Sequence, residues 1–593
     1  MASKNARGLA LMIAIASLAL AAAARAQVKP FGVLDCVPQD GVRFCAGSVA
    51  TRVPSFDGVP LDVNVTLPAT GDTRLPLVIQ LHGWGGQKSG IEASKPWAAA
   101  GYAVLNYTAR GFGDSCGSAA SRAADPQGCA AGWIRLADSR FEVRDSQYLA
   151  GLLVDQGIVH PKRIAVTGVS YGGGQSLQLA TLRNRVRLPD GTLVAWRSPG
   201  GRAMRLAAAA PVIPWSDLVY SLTPNGRTRD DVPTGPRDDI VPFGVMKQSF
   251  VTGLFVLGNA TGFYAPPGVD PAADLPAWYA VVSAGEPYDP AVAGSIADEL
   301  AQNHSAFYLP ARTPAPILIA NGFTDDLFPV LEALRYANRF PHAKIAQLHF
   351  DMGHMRGQNK AADEALLDAR IHAWFDRWVK HDHRAAPLRG VEVLTQTCPS
   401  SAASGGPFQA ATWRDLHPGE VRFADATARL VLSTGDTLGA QVDPIAGGGA
   451  CVRTSATDQA AAATYRLPAA TGAGYTLLGA PTVIANVAVT GAAPENAELA
   501  ARLWDVASDG MQTLVARELY RPSATGAIVF ELNANAWHFY AGHVAKLELL
   551  GSDVPYGRAS NFTFTLTVSN LELRLPTHEP PDGGQILTPA PRP

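Results

Sequence analysis

The sequence predicts a doubly wound α/β domain with a mostly parallel sheet and a helical cap, followed by an all-β sandwich. Three observations support this. Strands and helices alternate from residue 58 to residue 390, the alternation stops between about residues 214 and 308, and short strands alone follow residue 390. A chain of 593 residues is too long for one hydrophobic core, so two or three domains are expected.

The predicted sheet is built from apolar runs bounded by turn residues, which are typical of buried parallel strands. These runs cover residues 75–83, 102–108, 163–169, 205–212, 315–322 and 344–350. Between them, residues 140–157 and 361–380 have apolar side chains at helical spacing. We therefore assign residues 27–390 to one α/β domain.

The segment from about residue 214 to 308 interrupts this alternation between two predicted strands. It is rich in proline and aromatic residues, and residues 289–302 have the pattern of a helix. An insertion at this position lies over the C-terminal edge of the sheet, where α/β proteins bind ligands. We predict a helical cap over the site; the alternative is a structural elaboration without substrate contact.

After residue 390 the pattern changes to short alternating strands separated by turns, which is typical of a sandwich or jelly roll. We place this sandwich at residues 391–578. Residues 579–593 are rich in proline, and we expect them to be disordered.

The N-terminus has the pattern of a cleavable signal peptide. Lys4 and Arg7 precede an apolar stretch, which ends in an Ala-x-Ala cleavage site at Ala26. The apolar stretch is short for a membrane span, although an N-terminal anchor is the alternative reading. We predict that residues 1–26 are removed and that the mature chain is secreted or periplasmic, with no membrane association.

The formal net charge of −2 comes without a basic run or stripe. A nucleic-acid partner is therefore not expected. The sequence does not indicate an oligomeric state.

Six cysteines fit an exported chain. The cost of loop closure favours local partners, so we predict three disulfides: Cys36–Cys45, Cys116–Cys129 and Cys398–Cys451. None of the cysteines has C-x-x-C spacing, and no histidine clusters with them. A zinc site is therefore not expected, and neither is a cofactor.

The stretch "AVTGVSYGGGQS", residues 165–176, contains a G-x-S-x-G motif with Ser170 at its centre. The motif alone is weak, but here it follows an apolar strand and precedes a helical stretch, as a nucleophile elbow requires. A phosphate-binding loop would need Gly-Lys-Ser/Thr after its second glycine, and the lysine is missing. We interpret Ser170 as a nucleophile.

A serine nucleophile needs a base and an acid that orients the base. In α/β hydrolases the acid and then the histidine follow the serine along the chain. Asp325 and His354 each follow a predicted strand in that order, which predicts a Ser170–Asp325–His354 triad. Asp326 is interpreted as a solvated or helix-capping carboxylate, and His349, within a strand, as structural.

The reaction would also need donors for an oxyanion. The backbone N–H of Tyr171 is one candidate, because Tyr171 follows the nucleophile. The backbone N–H of Trp84, in "LHGWGG" at the end of an early strand, is the other. The alternative for this second stretch is a plain glycine turn.

At these residues the chain resembles the peptidase S15 and CocE–NonD group of α/β hydrolases. The matching stretches are "GVSYGG", "ARGFGDSCGS", "NGFTDDLFP" and the Gly-His pair ending at His354, together with residues 501–522 and 536–558 in the C-terminal part. The resemblance implies a serine hydrolase that acts through an acyl-enzyme, with a jelly roll after the catalytic domain. Cocaine-esterase-like members of the group use a tyrosine hydroxyl in the oxyanion hole, and "HGWGG" has no tyrosine.

The resemblance leaves the substrate open between an ester and an amide or peptide. An Xaa-Pro dipeptidyl-peptidase must bind a free amine, usually through carboxylates, and the cap region offers these aspartates: Asp217, Asp230, Asp231, Asp238 and Asp239. A solvated face is the usual role of such a run. Aromatic residues of the same region could line a pocket or pack in the core: Trp215, Tyr264, Trp278 and Tyr279.

Other readings also remain open at this point. One is a carboxylesterase or acylase without peptidase activity. Another, from a different class, is a surface- or carbohydrate-binding protein whose hydrolase domain is degenerate.

Overall fold

The computed structural model describes residues 28–71, 73–226, 243–311 and 313–592. The predicted signal peptide, residues 1–26, lies outside the described residues. Within these ranges, no helix combines the length and the hydrophobicity needed to cross a bilayer.

In the described part of the chain, eleven strands form one sheet, hereafter the central sheet. Their spatial order is Val37–Gln39, Val42–Cys45, Val63–Pro68, Ala103–Tyr107, Leu75–Leu81, Val159–Val169, Leu206–Val212, Ile317–Gly322, Ile345–Phe350, Val391–Val393 and Phe408–Ala410. Neighbouring strands from Ala103–Tyr107 to Val391–Val393 are parallel, and the strands outside them are antiparallel. The predicted mostly parallel sheet is confirmed.

Helices cover both faces of the central sheet, which is why its strands read as continuous apolar runs. Leu77 and Ile79 pack in one hydrophobic cluster, whereas Val78, between them, packs in another. The helices of this part are Ile91–Ala99, Ala119–Ala124, Glu142–Asp155, Tyr171–Leu182, Val330–Arg339 and Ala361–Phe375. Two short antiparallel pairs lie beside the sheet: Val53–Pro54 with Pro60–Leu61, and Arg185–Arg187 with Leu193–Ala195.

The predicted cap is helical in its described part. Its helices are Leu218–Leu222, Gln248–Thr261, Leu275–Ala284 and Pro290–His304, followed by a 3-10 turn at Ala306–Tyr308. The last long helix has a sequence-encoded start, because the Asp289 carboxylate accepts hydrogen bonds from the N–H groups of Ala291 and Val292, and proline occupies its first position. The cap begins and ends on neighbouring strands, since Val212 pairs with Ala320.

Two antiparallel sheets form the C-terminal sandwich. Seven described strands make the first sheet: Gly419–Asp425, Arg429–Leu432, Tyr475–Gly479, Thr482–Thr490, Gly526–Glu531, Asn535–Phe539 and Thr565–Thr577. Five described strands make the second: Arg453–Ser455, Ala463–Arg466, Leu499–Val506, Met511–Tyr520 and Val544–Leu550. Leu477 and Leu573 of the first sheet share one core with Leu503 and Leu547 of the second. The predicted C-terminal β architecture is confirmed.

The boundary predicted at residue 390 differs from the structure. Val391–Val393 pairs in parallel with Ile345–Phe350, and Phe408–Ala410 pairs with Val391–Val393, so the central sheet continues to Ala410. Strands of three residues carry too little periodicity to show which sheet they join.

The tail also differs from the predicted disorder of residues 579–593. Leu587 pairs with Glu420, Ile586 is buried, and the Arg592 guanidinium binds the Glu531 carboxylate at 2.6 Å. Proline-rich composition disfavours a helix or a central strand, but it does not prevent an irregular segment from packing on a sheet edge.

The three predicted disulfides are present: Cys36–Cys45, Cys116–Cys129 and Cys398–Cys451. The first two close loops in the catalytic part. The third joins the segment after Val391–Val393 to the sandwich, so it connects the two parts of the chain covalently.

Candidate active site

Ser170 lies on a sharp turn between the strand Val159–Val169 and the helix Tyr171–Leu182. Its backbone has φ 57° and ψ −112°, a combination that side chains other than glycine rarely adopt. The flanking glycines make the turn sterically feasible. A Cβ on Gly168 would come within 2.7 Å of the Gly172 backbone, and one on Gly172 within 2.4 Å of the Leu81 carbonyl oxygen. These contacts explain the G-x-S-x-G pattern.

The three predicted triad residues meet at the C-terminal edge of the central sheet. The Nε2 atom of His354 is 2.7 Å from Oγ of Ser170. Its Nδ1 atom is 2.8 and 3.0 Å from the two carboxylate oxygens of Asp325. The imidazole thus bridges a hydroxyl and a buried carboxylate, the arrangement that lets a histidine take a proton from a serine.

The carboxylate of Asp325 is fixed by its own loop. Its Oδ1 atom accepts hydrogen bonds from the backbone N–H groups of Leu327 at 3.0 Å and Phe328 at 2.9 Å. The loop of His354 approaches it closely because Gly353 has φ 151°, and a Cβ there would lie 2.6 Å from Cβ of Asp325. Gly353 therefore makes the short contact between base and acid possible.

Asp326 is neither solvated nor a helix cap, which corrects the sequence interpretation. Its carboxylate is 1% exposed and accepts hydrogen bonds from Nε of Arg356 at 2.6 Å and Nη2 of the same residue at 2.9 Å. Arg517 of the sandwich lies 3.7 Å from the same carboxylate. Because Asp326 follows the acid and Arg356 follows the histidine, this ion pair joins the two triad loops.

Two further contacts hold the acid loop from outside the central sheet. The hydroxyl of Tyr556, in the sandwich, donates to the carbonyl oxygen of Asp326 at 3.0 Å. The buried ammonium of Lys247, at the start of a cap helix, donates to the carbonyl oxygen of Leu327 at 2.9 Å. The sandwich and the cap thus both contribute to the position of Asp325.

The two residues proposed as oxyanion donors, Trp84 and Tyr171, are in contact through their side chains. The rings of Trp84 and Tyr171 are in edge-to-face contact at 5.2 Å. The N–H of Trp84 has no backbone acceptor among the described residues, and Tyr171 is the first residue of its helix, where the N–H has no partner within the helix. Both groups can therefore donate to an oxyanion.

His82 holds the loop that carries Trp84. Its Nδ1 atom is 2.7 Å from the carbonyl oxygen of Gly83, and its Nε2 atom accepts a hydrogen bond from the N–H of Ala109 at 2.9 Å. This pattern requires a proton on Nδ1 alone. Burial lowers the pKa of the His82 imidazole, which favours that neutral form.

An apolar cavity extends from Ser170 between the sheet edge and the cap. From the sequence, four aromatic residues could belong either to a pocket or to the core. All four line this cavity: Trp215, Tyr264, Trp278 and Tyr279. Trp84 and Tyr171 line it as well. The cap is therefore part of the site and not only a structural elaboration.

Asp217, one of the carboxylates considered for amine binding, is occupied. It caps the helix Leu218–Leu222, accepts a hydrogen bond from Tyr308 at 2.7 Å and pairs with Arg335 at 2.5 Å. The other candidate aspartates lie outside the described residues: Asp230, Asp231, Asp238 and Asp239.

His349 is fully buried and lies in the strand Ile345–Phe350, away from the triad contacts. Burial lowers its pKa to about 4, so the ring is neutral at pH 7. Its placement agrees with the structural role predicted for it.

Within the described residues, three side chains have the spacing of a metal site: Asp138, Glu299 and His304, with ligand atoms within 4.8 Å of one another. Arg140 binds both carboxylates of this group. The guanidinium of Arg140 supplies the positive charge that a metal ion would otherwise supply to these carboxylates. The cluster is therefore an ion-pair network.

Arg356, Arg517 and His82 were not predicted from the sequence. His82 could have been recognised, because it lies in the stretch "LHGWGG" from which the oxyanion donor was predicted. Arg356 lies two residues after the predicted base, but nothing in the sequence connects it with Asp326. Arg517 sits in a β segment whose packing against the catalytic part is not visible in local pattern.

The fold is that of the α/β hydrolases. Residues 57–187 match the model of the X-Pro dipeptidyl-peptidase family, S15. This match and the structural neighbours confirm the resemblance of the chain to the peptidase S15 and CocE–NonD hydrolases. No curated protein matches the sequence significantly.

Solved structures share the whole fold at low sequence identity. An aminopeptidase from a marine sediment Thaumarchaeota archaeon is 12% identical with a TM-score of 0.59, covering 93% of this chain and 98% of its own. An α-amino acid ester hydrolase is 13% identical with a TM-score of 0.57, covering 91% and 98%. A CocE/NonD family hydrolase from Staphylococcus aureus is 12% identical with a TM-score of 0.55, covering 90% and 94%. At this identity the likeness concerns the fold.

Proposed function

We propose that the protein is an exported serine hydrolase that cleaves an ester or amide bond through an acyl-enzyme. The observation that supports this most directly is the hydrogen-bonded chain from Ser170 through His354 to Asp325, with distances of 2.7 and 2.8 Å, at the mouth of a cavity. Export is proposed from the signal-like N-terminus and the three disulfides, which persist in oxidising compartments.

In the acylation step, Oγ of Ser170 attacks the carbonyl carbon and its proton passes to Nε2 of His354. The carbonyl oxygen becomes an oxyanion, to which the N–H groups of Tyr171 and Trp84 donate. The tetrahedral intermediate then collapses. The bond to the leaving alcohol or amine breaks, and the leaving group takes the proton from His354.

In the deacylation step, water enters the place of the leaving group. His354 removes one proton from it while its oxygen attacks the acyl carbon. Collapse of the second intermediate releases the acid and returns the proton to Ser170. Throughout, Asp325 accepts from Nδ1–H of His354, which stabilises the imidazolium that forms in each half-reaction.

The test is labelling with a fluorophosphonate probe beside hydrolysis of p-nitrophenyl butyrate. The mature chain is expected to be labelled and active, and Ser170→Ala to lose both properties. Ser295→Ala, at an exposed serine on a cap helix, is the matched control and should behave as wild type. Full labelling of Ser170→Ala would overturn the assignment of the nucleophile, and an inert wild-type chain would favour a binding protein with a degenerate hydrolase domain.

A further inference from the structure

We propose that the cavity beside Ser170 binds the acyl part of the substrate and selects uncharged, apolar acyl chains over acyl groups that carry an α-ammonium. The inference rests on the proposed serine hydrolase function and specifies its substrate class. It distinguishes an apolar acyl ester from a peptide with a free N-terminus.

The cavity lies on one side of the nucleophile. Ser170, Tyr171 and Trp84 line the cavity, whereas His354 is not among its lining residues. The leaving group must depart toward His354, because that residue protonates it. The cavity is therefore on the side of the acyl group.

The described side chains that line the cavity carry no charge. None of the described residues that line the cavity is ionisable at neutral pH; they are aliphatic and aromatic side chains with one serine and one threonine. A buried ammonium without a carboxylate partner would lose its hydration uncompensated. An acyl group with a free amine is therefore disfavoured there.

Three of the lining aromatic residues already use their polar atoms within the protein. Nε1 of Trp84 donates to the Leu254 carbonyl oxygen at 2.8 Å, and the Tyr264 hydroxyl donates to that of Phe255 at 2.9 Å. Nε1 of Trp215 likewise donates to a backbone carbonyl, at 2.8 Å. The rings thus present apolar surface to the substrate.

Two carboxylates in the described part of the cap also have partners. Asp217 pairs with Arg335, and Glu286 pairs with Arg521 and Arg558. Recruiting either one to an amine would leave a buried guanidinium unpaired.

The first experiment compares p-nitrophenyl esters that share a leaving group: acetate, butyrate, octanoate and 2-aminooctanoate. We expect kcat/KM to rise with chain length by up to about fourfold per methylene, the factor that corresponds to ~0.8 kcal/mol for each buried CH₂. The aminooctanoate, which differs from octanoate only by the ammonium, should react at least about 100-fold more slowly. A flat or falling length series, or a preference for the amino ester, would overturn the proposal.

The second experiment fills the cavity. Val251 lines it from the helix Gln248–Thr261, and Val256 of the same helix is 60% exposed and does not line it. Val251→Trp should lower kcat/KM for octanoate about tenfold or more and for acetate by a much smaller factor, because the shorter acyl group fills less of the cavity. Val256→Trp should leave both substrates unchanged.

Hydrolysis of acetate and labelling by the fluorophosphonate probe show that each variant is folded and competent. Leu222→Trp, on another part of the lining, is the second variant if Val251→Trp fails to fold. An equal loss on acetate and octanoate in a folded variant would contradict the acyl assignment. Failure of the proposed function would give a different result from failure of the acyl assignment. No ester of any length would then be hydrolysed and Ser170 would not be labelled, which would overturn both proposals.

Discussion

The guanidinium of Arg356 and the carboxylate of Asp326 form a buried two-point ion pair, with N–O distances of 2.6 and 2.9 Å. Each partner lies close in sequence to a triad residue, Asp326 next to Asp325 and Arg356 two residues beyond His354. The pair therefore links the loop of the acid to the loop of the base.

Loss of the Asp326 charge is expected to destabilise the fold strongly. Asp326→Asn leaves the buried guanidinium of Arg356 without the carboxylate that it binds, which typically costs about 3–5 kcal/mol. Thermal and urea unfolding measure the loss. The control is Asp509→Asn, which breaks an exposed pair with Arg453 and should leave the melting temperature unchanged. Equal effects in the two variants would contradict a structural role for Asp326.

Gly353→Ala is expected to lower kcat about 100-fold or more with little change in KM. The new Cβ would lie 2.6 Å from Cβ of Asp325, and φ of 151° is strained for alanine, so the His354 loop must move away from the acid. Steady-state hydrolysis of p-nitrophenyl butyrate measures the effect. Gly294→Ala, on a cap helix where a Cβ meets nothing within 4 Å, should keep wild-type kinetics. Unchanged kcat in Gly353→Ala would mean that the contact between base and acid tolerates the displacement.

His349 makes the stability of the protein depend on acid pH. Burial lowers its pKa from 6.5 to about 4, so the unfolded chain binds the proton more readily than the folded chain. The stabilisation is fully present above pH 6.5 and is lost as the pH falls toward 4, at about 1 kcal/mol per pH unit. Urea unfolding between pH 4 and 8 measures the slope.

His349→Gln should flatten this slope below pH 6.5, even if the variant is less stable at neutral pH. His342 is exposed, and His342→Gln should retain the wild-type slope. A slope that persists unchanged in His349→Gln would assign the acid sensitivity to other groups.

The disulfide between Cys398 and Cys451 should contribute more stability than that between Cys36 and Cys45. The disulfide Cys398–Cys451 closes a loop with a sequence separation of 53, and Cys36–Cys45 closes a loop with a separation of 9. The entropy model therefore gives contributions to the free energy of unfolding of about 4 and ~3 kcal/mol, respectively. Double Cys→Ala variants compared by urea unfolding measure the difference. A larger loss in the Cys36–Cys45 variant would show that native packing outweighs loop length at these sites.

The sequence predicted those features that depend on local pattern and chain order. Ser170 lies in a motif, and Asp325 and His354 follow strands in the order that the fold imposes, so their convergence follows from topology. The strands were predictable because Val78 and its neighbours are apolar on both faces. These residues could be predicted without knowing which distant segments they contact.

The rest depended on contacts between segments far apart in the chain. Asp326 reads as a surface carboxylate unless its partners Arg356 and Arg517 are known. The three-residue strand at Val391–Val393 is defined by pairing with Ile345–Phe350 and not by its own composition. Leu587, in the tail, is likewise placed by pairing with Glu420.

The contacts from the sandwich to the acid loop also bear on when a newly made chain becomes active. The Tyr556 hydroxyl reaches the Asp326 carbonyl oxygen from 230 residues later, so the acid loop is complete only after nearly the whole polypeptide has been synthesised. A chain truncated before Arg517 retains Ser170, Asp325 and His354 but lacks the contacts from the sandwich to the acid loop. Full activity is therefore expected to arise late in maturation, when the last strands have folded onto the catalytic part.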